Sequence, residues 1–156
     1  MQHKTTSVTL ATEEFEADVQ VVAKQEVSEG VVTLILREVD GHPLPAWQPG
    51  AHVDVIIKGA PTRQYSLCGD PGDHRTYRLG ILKDPASSGA SQHVHEQLQV
   101  DDVIRLRGPR NNFPLVDSPR YLFIAGGIGI TPILPMIARA HASGADWRLV
   151  YGGREG

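Results

Sequence analysis

The sequence changes its pattern near Arg120, and this change constrains the fold more than any other feature. Before it, short runs rich in β-branched residues alternate with turn residues, which is typical of an all-β barrel or sandwich. After it, an apolar run over 121–125 leads into the glycine loop GGIGITP, an apolar helix to about His141 and a strand over 147–151. This order predicts a β-turn-α-β unit, the opening of a parallel sheet. We therefore expect a β domain followed by the beginning of an α/β domain.

Turn residues divide the first part of the chain into six predicted strands. Their ranges are 17–24, 31–39, 51–58, 63–68, 77–83 and 103–107. Val94 and Leu98, four positions apart, indicate one short helix before the last of them, with Ser88 or Ser91 as its N-cap. The prolines in 113–119 predict a linker to the α/β part.

Composition and charge exclude several classes of protein. The 156 residues include 15 Lys and Arg against 18 Asp and Glu, a formal net charge of −3, so no basic excess is present to bind nucleic acid. The single cysteine, Cys68, excludes a disulfide framework and a four-cysteine iron–sulfur or zinc site in this chain. Residues 121–138 carry no charge, but glycines and prolines interrupt them, which favours a buried strand, turn and helix over a membrane span. We expect a cytoplasmic protein, since the first residues also lack a signal peptide.

The segment Arg63-Gln64-Tyr65-Ser66 carries the most specific chemistry. On an extended strand, Arg63 and Tyr65 project from one face and Ser66 from the other, unless the strand kinks. An arginine suits a phosphate, a tyrosine ring can lie against a flat heterocycle, and a hydroxyl can hydrogen-bond the edge of that heterocycle. From the residues alone, an ordinary strand with a surface arginine and a half-buried tyrosine is the alternative.

Two further segments are candidates for contacts with phosphate or nucleotide. Residues 83–91 lead from a strand to the N-terminus of the short helix, where free N–H groups and the helix dipole favour an anion. The cofactor-binding candidates here are Leu82, Lys83, Gly89, Ala90 and Ser91. In GGIGITP, Gly127 and Gly129 allow a nucleotide to approach the backbone, and Thr131 is predicted to cap the next helix while Pro132 begins it. A plain capped helix and tight strand–helix packing are the respective alternatives.

Other patterns indicate neither a metal site nor nucleophilic catalysis. His93 and His95 point apart on a helix and no further ligands converge on them, so solvated histidines are expected. Cys68 is expected to be a small buried residue rather than a redox centre. The sequence contains no Ser-His-Asp, HExxH or Walker A pattern.

Three segments together resemble a known family. RQYSLCGDP, then HEQL followed by RLRGPRNNFPL, and finally GGIGITPIL are similar to the phthalate dioxygenase reductase and vanillate demethylase reductase group of the ferredoxin–NADP reductase superfamily. The resemblance extends over about 16–154. It implies a six-stranded antiparallel flavin-binding barrel with one short helix at 16–114, after a flexible leader at 1–15. Residues 115–156 are then the truncated start of an NAD(P)-binding domain, so the predicted fold class is mainly β with a β-α-β unit after the barrel.

The resemblance also implies roles for individual residues. In this group the arginine of the motif binds the flavin phosphate, the tyrosine packs on the isoalloxazine ring and the serine approaches flavin N5. These roles correspond to Arg63, Tyr65 and Ser66, with Ser66 as the catalytic residue. The group typically holds FMN, with FAD as the alternative, and its glycine loop faces NAD(P)H. The segment 89–91 departs from the group's Gly-Gly-Ser because Ala90 is less free to adopt a positive φ.

The function implied is a flavin-dependent NAD(P)H oxidoreductase that transfers electrons to an aromatic-ring oxygenase or demethylase. Because this chain has one cysteine, a separate chain would supply the iron–sulfur carrier, and the terminal oxygenase component is the expected partner. The alternative is a catalytically incomplete flavin-binding module or fragment. Residues 110–114 resemble the linker of the group and are either a hinge or a contact with the flavin domain, or else simply a structured linker.

Overall fold

The computed structural model describes residues 14–28, 30–82, 94 and 96–152. The barrel strands are β1 (Glu16–Ser28), β2 (Val31–Glu38), β3 (His52–Ile56), β4 (Arg63–Ser66), β5 (Thr76–Leu82) and β6 (Val103–Arg110). The second part consists of β7 (Arg120–Gly126), a 3₁₀ turn (Gly127–Gly129), α1 (Ile130–Ala142) and β8 (Asp146–Gly152).

The first six strands form one antiparallel sheet in the order β4-β3-β6-β1-β2-β5. Its two edge strands approach each other where Leu67, just after β4, pairs with Leu79 of β5. The predicted mainly β fold with six antiparallel strands is confirmed. The strand limits differ at some ends, since β6 extends to Arg110 and is three residues longer than the predicted strand at 103–107.

Alternating burial along the strands produces the core of this sheet. In β2, for example, Val32, Leu34 and Leu36 are buried while their neighbours are not, as expected when successive side chains point to opposite faces. Val94 and Leu98 are buried in the same core, as expected of two apolar residues that are four positions apart and were predicted to share one face of a helix. The proposed N-caps Ser88 and Ser91, together with His93 and His95, lie outside the described residues.

The second part contains a parallel β7–β8 pair joined by α1, as the sequence predicts. Its own core is small and consists of Phe123, Ala125, Ile133, Met136 and Ala140. Among the described helices, none has the length and apolar character needed to cross a bilayer.

The start of α1 corrects one prediction. Gly129 is the N-cap, the helix begins at Ile130 rather than Pro132, and no side chain caps it. Because the 3₁₀ turn leads directly into the helix, Thr131 already lies in helical backbone. Its hydroxyl therefore donates to the carbonyl of Ile128, at 3.0 Å, instead of capping the helix.

Candidate functional site

A cleft of about 390 Å³ lies where the edge of the barrel meets the glycine loop. Its volume is within the range of roughly 300–1,000 Å³ that is usual for small-molecule sites. One wall is the whole of β4, the second comes from β5, and the third is the loop with the start of α1. The lining residues are Arg63, Gln64, Tyr65, Ser66, Gly80, Leu82, Ile128, Gly129, Thr131 and Pro132. Segments far apart in sequence thus meet at one site.

Most of the predicted site residues that the structure describes come together in this cleft. They are Arg63, Tyr65, Ser66, Leu82, Gly129 and Thr131. Gly127 is not among the lining residues, and its carbonyl accepts a hydrogen bond from the Tyr151 hydroxyl at 3.1 Å. The candidates Lys83, Gly89, Ala90 and Ser91 lie outside the described residues.

The edge position of β4 explains why both of its faces contribute to the cleft. Tyr65 pairs with Val53 of β3 and packs against the barrel core, whereas Ser66 follows on the opposite face of the strand. In the described part of the chain β4 is an edge strand, and just beyond it Leu67 pairs with Leu79 of β5. A ligand beside β4 can therefore contact side chains of either face. The cleft is thus lined by Arg63, Tyr65 and Ser66, although successive side chains of a strand point to opposite faces.

Arg63 and Tyr65 differ in charge and burial. Arg63 is partly exposed and its guanidinium donates to the carbonyl of Thr62 at 3.4 Å. Tyr65 is half-buried, and desolvation raises the pKa of its phenol although the nearby Arg63 charge acts in the opposite direction. The cleft thus offers a fixed cation, a neutral aromatic ring and the Ser66 hydroxyl along one short strand. This donor set fits a flat heteroaromatic ligand that carries a phosphate.

An ion-pair network lies beside β4 and was missed by sequence reasoning. Asp54 of β3 is only 3% exposed and accepts hydrogen bonds from Arg107 at 2.9 Å and Arg110 at 2.6 Å. Burial by itself raises the pKa of the Asp54 carboxyl, but the hydrogen bonds and charges of Arg110 and Arg107 outweigh it and lower that pKa. These residues and Arg63 line a polar cleft of about 540 Å³. The network ties β3 to β6 behind the candidate site.

The barrel and the α/β unit also meet at the turn before β3. The amide of Gln48 accepts a hydrogen bond from Arg139 of α1. Asn111, in the linker, donates to the carbonyl of Pro49 at 3.1 Å. The linker is therefore hydrogen-bonded to the barrel, which agrees with a contact between residues 110–114 and the barrel domain.

No protein-family model matches the chain. Over 135 residues the chain is 44% identical to the vanillate O-demethylase oxidoreductase of Pseudomonas sp. strain HR199, an alignment that covers 86% of this chain and 43% of that protein. The structure is similar to phthalate dioxygenase reductase, with a TM-score of 0.84, 28% identity, and coverage of 94% of this chain and 46% of that one. It is also similar to an intact type IV self-sufficient cytochrome P450 monooxygenase, with a TM-score of 0.86, 41% identity, and coverage of 90% and 18%. The chain thus spans less than half the length of each of these proteins.

Proposed function

We propose that the chain is the flavin-binding part of an NAD(P)H-dependent oxidoreductase, because it is similar in sequence to a vanillate O-demethylase oxidoreductase and in fold to phthalate dioxygenase reductase, members of one group of the ferredoxin–NADP reductase superfamily. It would be the electron-transfer component of an aromatic-ring oxygenase or demethylase system. Its partner is then a terminal oxygenase component or an iron–sulfur carrier. The observation that carries the proposal is the cleft between Arg63-Gln64-Tyr65-Ser66 and the glycine loop.

Different residues of the cleft bind the flavin phosphate and orient the flavin ring. Arg63 binds the phosphate, and the half-buried Tyr65 ring lies against the flavin ring. The Ser66 hydroxyl hydrogen-bonds the edge of the ring at N5. Gly129 and Thr131 line the cleft from the glycine loop and the start of α1, and would contact the nicotinamide there. When bound, the flavin supplies the chemistry that accepts a hydride and releases electrons one at a time.

The same proposal includes the domain boundaries, the type of flavin and the remaining binding residues. Residues 16–114 form the flavin-binding unit and 115–156 begin the nicotinamide-binding unit, after a leader at 1–15. One arginine and the segment 89–91 suit a single phosphate, so FMN is favoured over FAD. Leu82 and Lys83 complete the binding residues on the barrel side, and the binding role of Gly127, which does not line the cleft, stays a prediction. A cytoplasmic location stays a prediction.

The test is whether the chain binds flavin and which flavin it is. We expect the purified 156-residue chain to release FMN on denaturation, identified by chromatography. FAD as the sole flavin would overturn the single-phosphate argument, and failure to bind either flavin after reconstitution would overturn the proposal. Addition of NADH and an artificial electron acceptor then separates an oxidoreductase, which turns over, from a module that binds flavin without turnover.

Two arginine variants test whether the flavin binds in the cleft. Arg63→Ala removes a charge-assisted contact to phosphate, worth roughly 1.5–3 kcal/mol, so flavin affinity should fall about tenfold or more. Arg37→Ala is the control, because Arg37 on β2 is exposed and does not line the cleft. Equal flavin affinity in both folded variants would contradict the role of Arg63.

A further inference from the structure

Gly80 is a glycine inside a strand, where glycine normally weakens a sheet. It lies in the middle of β5, pairs in regular register with Thr33 of β2, and is flanked by the buried core residues Leu79 and Ile81. Its φ is not in the left-handed region that favours glycine, and no bulge interrupts the β2–β5 pairing. Neither backbone conformation nor strand irregularity therefore requires a glycine at this position.

The space above Gly80 explains the glycine. A Cβ added there would lie 2.8 Å from Cγ2 of Thr131 and 3.7 Å from Cδ1 of Ile128. The methyl group of Thr131 thus occupies the position that a side chain of residue 80 would need. Gly80 is where the barrel sheet touches the first turn of α1.

This contact is stiff on both sides. On the barrel side it is strand backbone, held by the β2 ladder. On the other side, Thr131 is β-branched and lies in a helix, and its hydroxyl donates to the Ile128 carbonyl at 3.0 Å. Rotation of the methyl group away from Gly80 would break that hydrogen bond. The two units therefore meet at a defined separation.

We propose that Gly80 and Thr131 together form a spacer that sets the width of the cleft between β4 and the glycine loop. Both residues line the cleft, Gly80 from β5 and Thr131 from the start of α1. The inference rests on the proposed function: the spacer would set the distance between a flavin held by Arg63 and Tyr65 and a nicotinamide at the loop. Gly80 is in this sense a positioning residue, since it offers no side chain for chemistry.

Hydride transfer depends strongly on such a distance. A hydride leaves carbon 4 of the dihydronicotinamide, which is oxidised to the pyridinium, and bonds to N5 of the flavin, which is reduced. A displacement of the reacting groups by about 1 Å can slow a reaction on the order of a hundredfold. An alanine at position 80 would force a shift at this contact, because its Cβ cannot stay 2.8 Å from a methyl carbon.

The first experiment tests the contact itself and needs no flavin. The full chain is compared with Gly80→Ala, Thr131→Ser and the double variant by thermal unfolding. Gly80→Ala should lower Tm by about 3–10 °C because it overpacks the contact. Thr131→Ser removes Cγ2 but keeps the hydroxyl, so the double variant should recover most of that loss, or recover folding if Gly80→Ala does not fold. Gly152→Ala is the control, since its added Cβ meets nothing within 4 Å.

The second experiment tests the positioning role. Each flavin-loaded variant is mixed with N-benzyl-dihydronicotinamide, and flavin reduction is followed by stopped-flow absorbance, with flavin affinity measured by titration. The flavin in Gly80→Ala should be reduced about tenfold to a hundredfold more slowly at unchanged flavin affinity, and the flavin in the double variant should be reduced faster than that in Gly80→Ala.

Additive Tm effects without recovery would overturn the contact between Gly80 and Thr131. An unchanged reduction rate in Gly80→Ala would overturn the spacer role and leave a packing contact only. Absence of flavin from the unmodified chain would overturn the proposed function instead, and the Tm comparison distinguishes that result from a failure of the spacer.

Discussion

Replacement of Ser66 should separate flavin binding from flavin reduction. Ser66→Ala should keep most of its flavin, because Arg63 and Tyr65 remain in the cleft. A hydroxyl near N5 matters most while N5 accepts hydride, so flavin reduction should slow about ten- to a hundredfold, the loss of roughly 1.4–2.7 kcal/mol of transition-state stabilisation. Stopped-flow absorbance measures this step directly.

The matched control for this prediction is Ser143→Ala, which truncates a serine at the C-terminus of α1. Its hydroxyl donates to the Ala140 carbonyl and it does not line the cleft, so flavin reduction should be unchanged. Equal reduction rates for Ser66→Ala and the unmodified chain would show that Ser66 is only a strand residue.

The buried carboxylate of Asp54 links β3 to β6 through its hydrogen bonds with Arg107 and Arg110. Asp54→Asn removes the negative charge that both Arg107 and Arg110 contact, and should lower the free energy of unfolding by about 2 kcal/mol or more. The control is Asp18→Asn, which makes the same substitution in an exposed pair with Arg105 and should have little effect. Urea unfolding of both variants measures the difference, and similar losses would contradict a special role for Asp54.

The lowered pKa of Asp54 also predicts a pH dependence. A carboxyl whose pKa is lower in the folded state contributes stability above its unfolded pKa, about 3.8, and loses it as the pH falls through the folded pKa. Stability of the unmodified chain should therefore decline more steeply below pH 3.8 than that of Asp54→Asn. Asp73, whose pKa is lowered by its hydrogen bond with Thr76, contributes equally to both proteins and cancels in the comparison.

At the scale of elements, the turn before β3 packs closely against the linker between the barrel and the α/β unit. Gly50 adopts φ +102°, and an added Cβ would lie 2.0 Å from the carbonyl oxygen of Phe113. Gly59 has a similar φ of +85° but open space around it. Gly59→Ala should therefore cost only the strain of a left-handed alanine, about 1 kcal/mol.

Gly50→Ala should cost about 3 kcal/mol or more, since the linker must also move away from the turn. Urea unfolding of the two variants at equal protein concentration checks the difference. Equal losses would mean that the close approach of Phe113 to Gly50 does not hold the linker in place. A larger loss at Gly50 would identify this turn as the anchor of the linker on the barrel.

At the scale of the molecule, two cores of unequal size predict unequal local stability. Among the described residues, the barrel core contains 19 buried residues, whereas the α/β core contains five. Leu122 and Ile124 on β7 are 61% and 70% exposed, so one face of the β7–β8 pair is not buried within the described chain. Few buried apolar contacts imply opening at low free energy.

Hydrogen exchange should therefore be slowest in β2 and β5 and faster in α1 and β8. Mass spectrometry of peptides from these elements measures the order. Equal protection of both sets would show that the two units unfold as one. Arg139→Ala, which removes the hydrogen bond from α1 to Gln48, should accelerate exchange in α1 and leave β2 unchanged.

The elements themselves were predictable from the sequence because their signals are local. Alternating apolar residues, as at Val32, Leu34 and Leu36, require a strand with one buried face, and turn residues mark where each strand ends. The glycine loop after an apolar run likewise predicts a strand-turn-helix unit. The candidate binding residues were also predictable, because three chemically distinct side chains occur within four residues at Arg63, Tyr65 and Ser66.

The tertiary structure decided what the local patterns leave open. Whether Ser66 and Tyr65 reach the same ligand depends on the edge position of β4, which is a property of the whole sheet order. The partners of Asp54 come from another strand, and the reason for a glycine at position 80 is a methyl group in α1. No sequence pattern indicates which side chain will lie opposite a strand glycine, because packing joins residues that are distant along the chain.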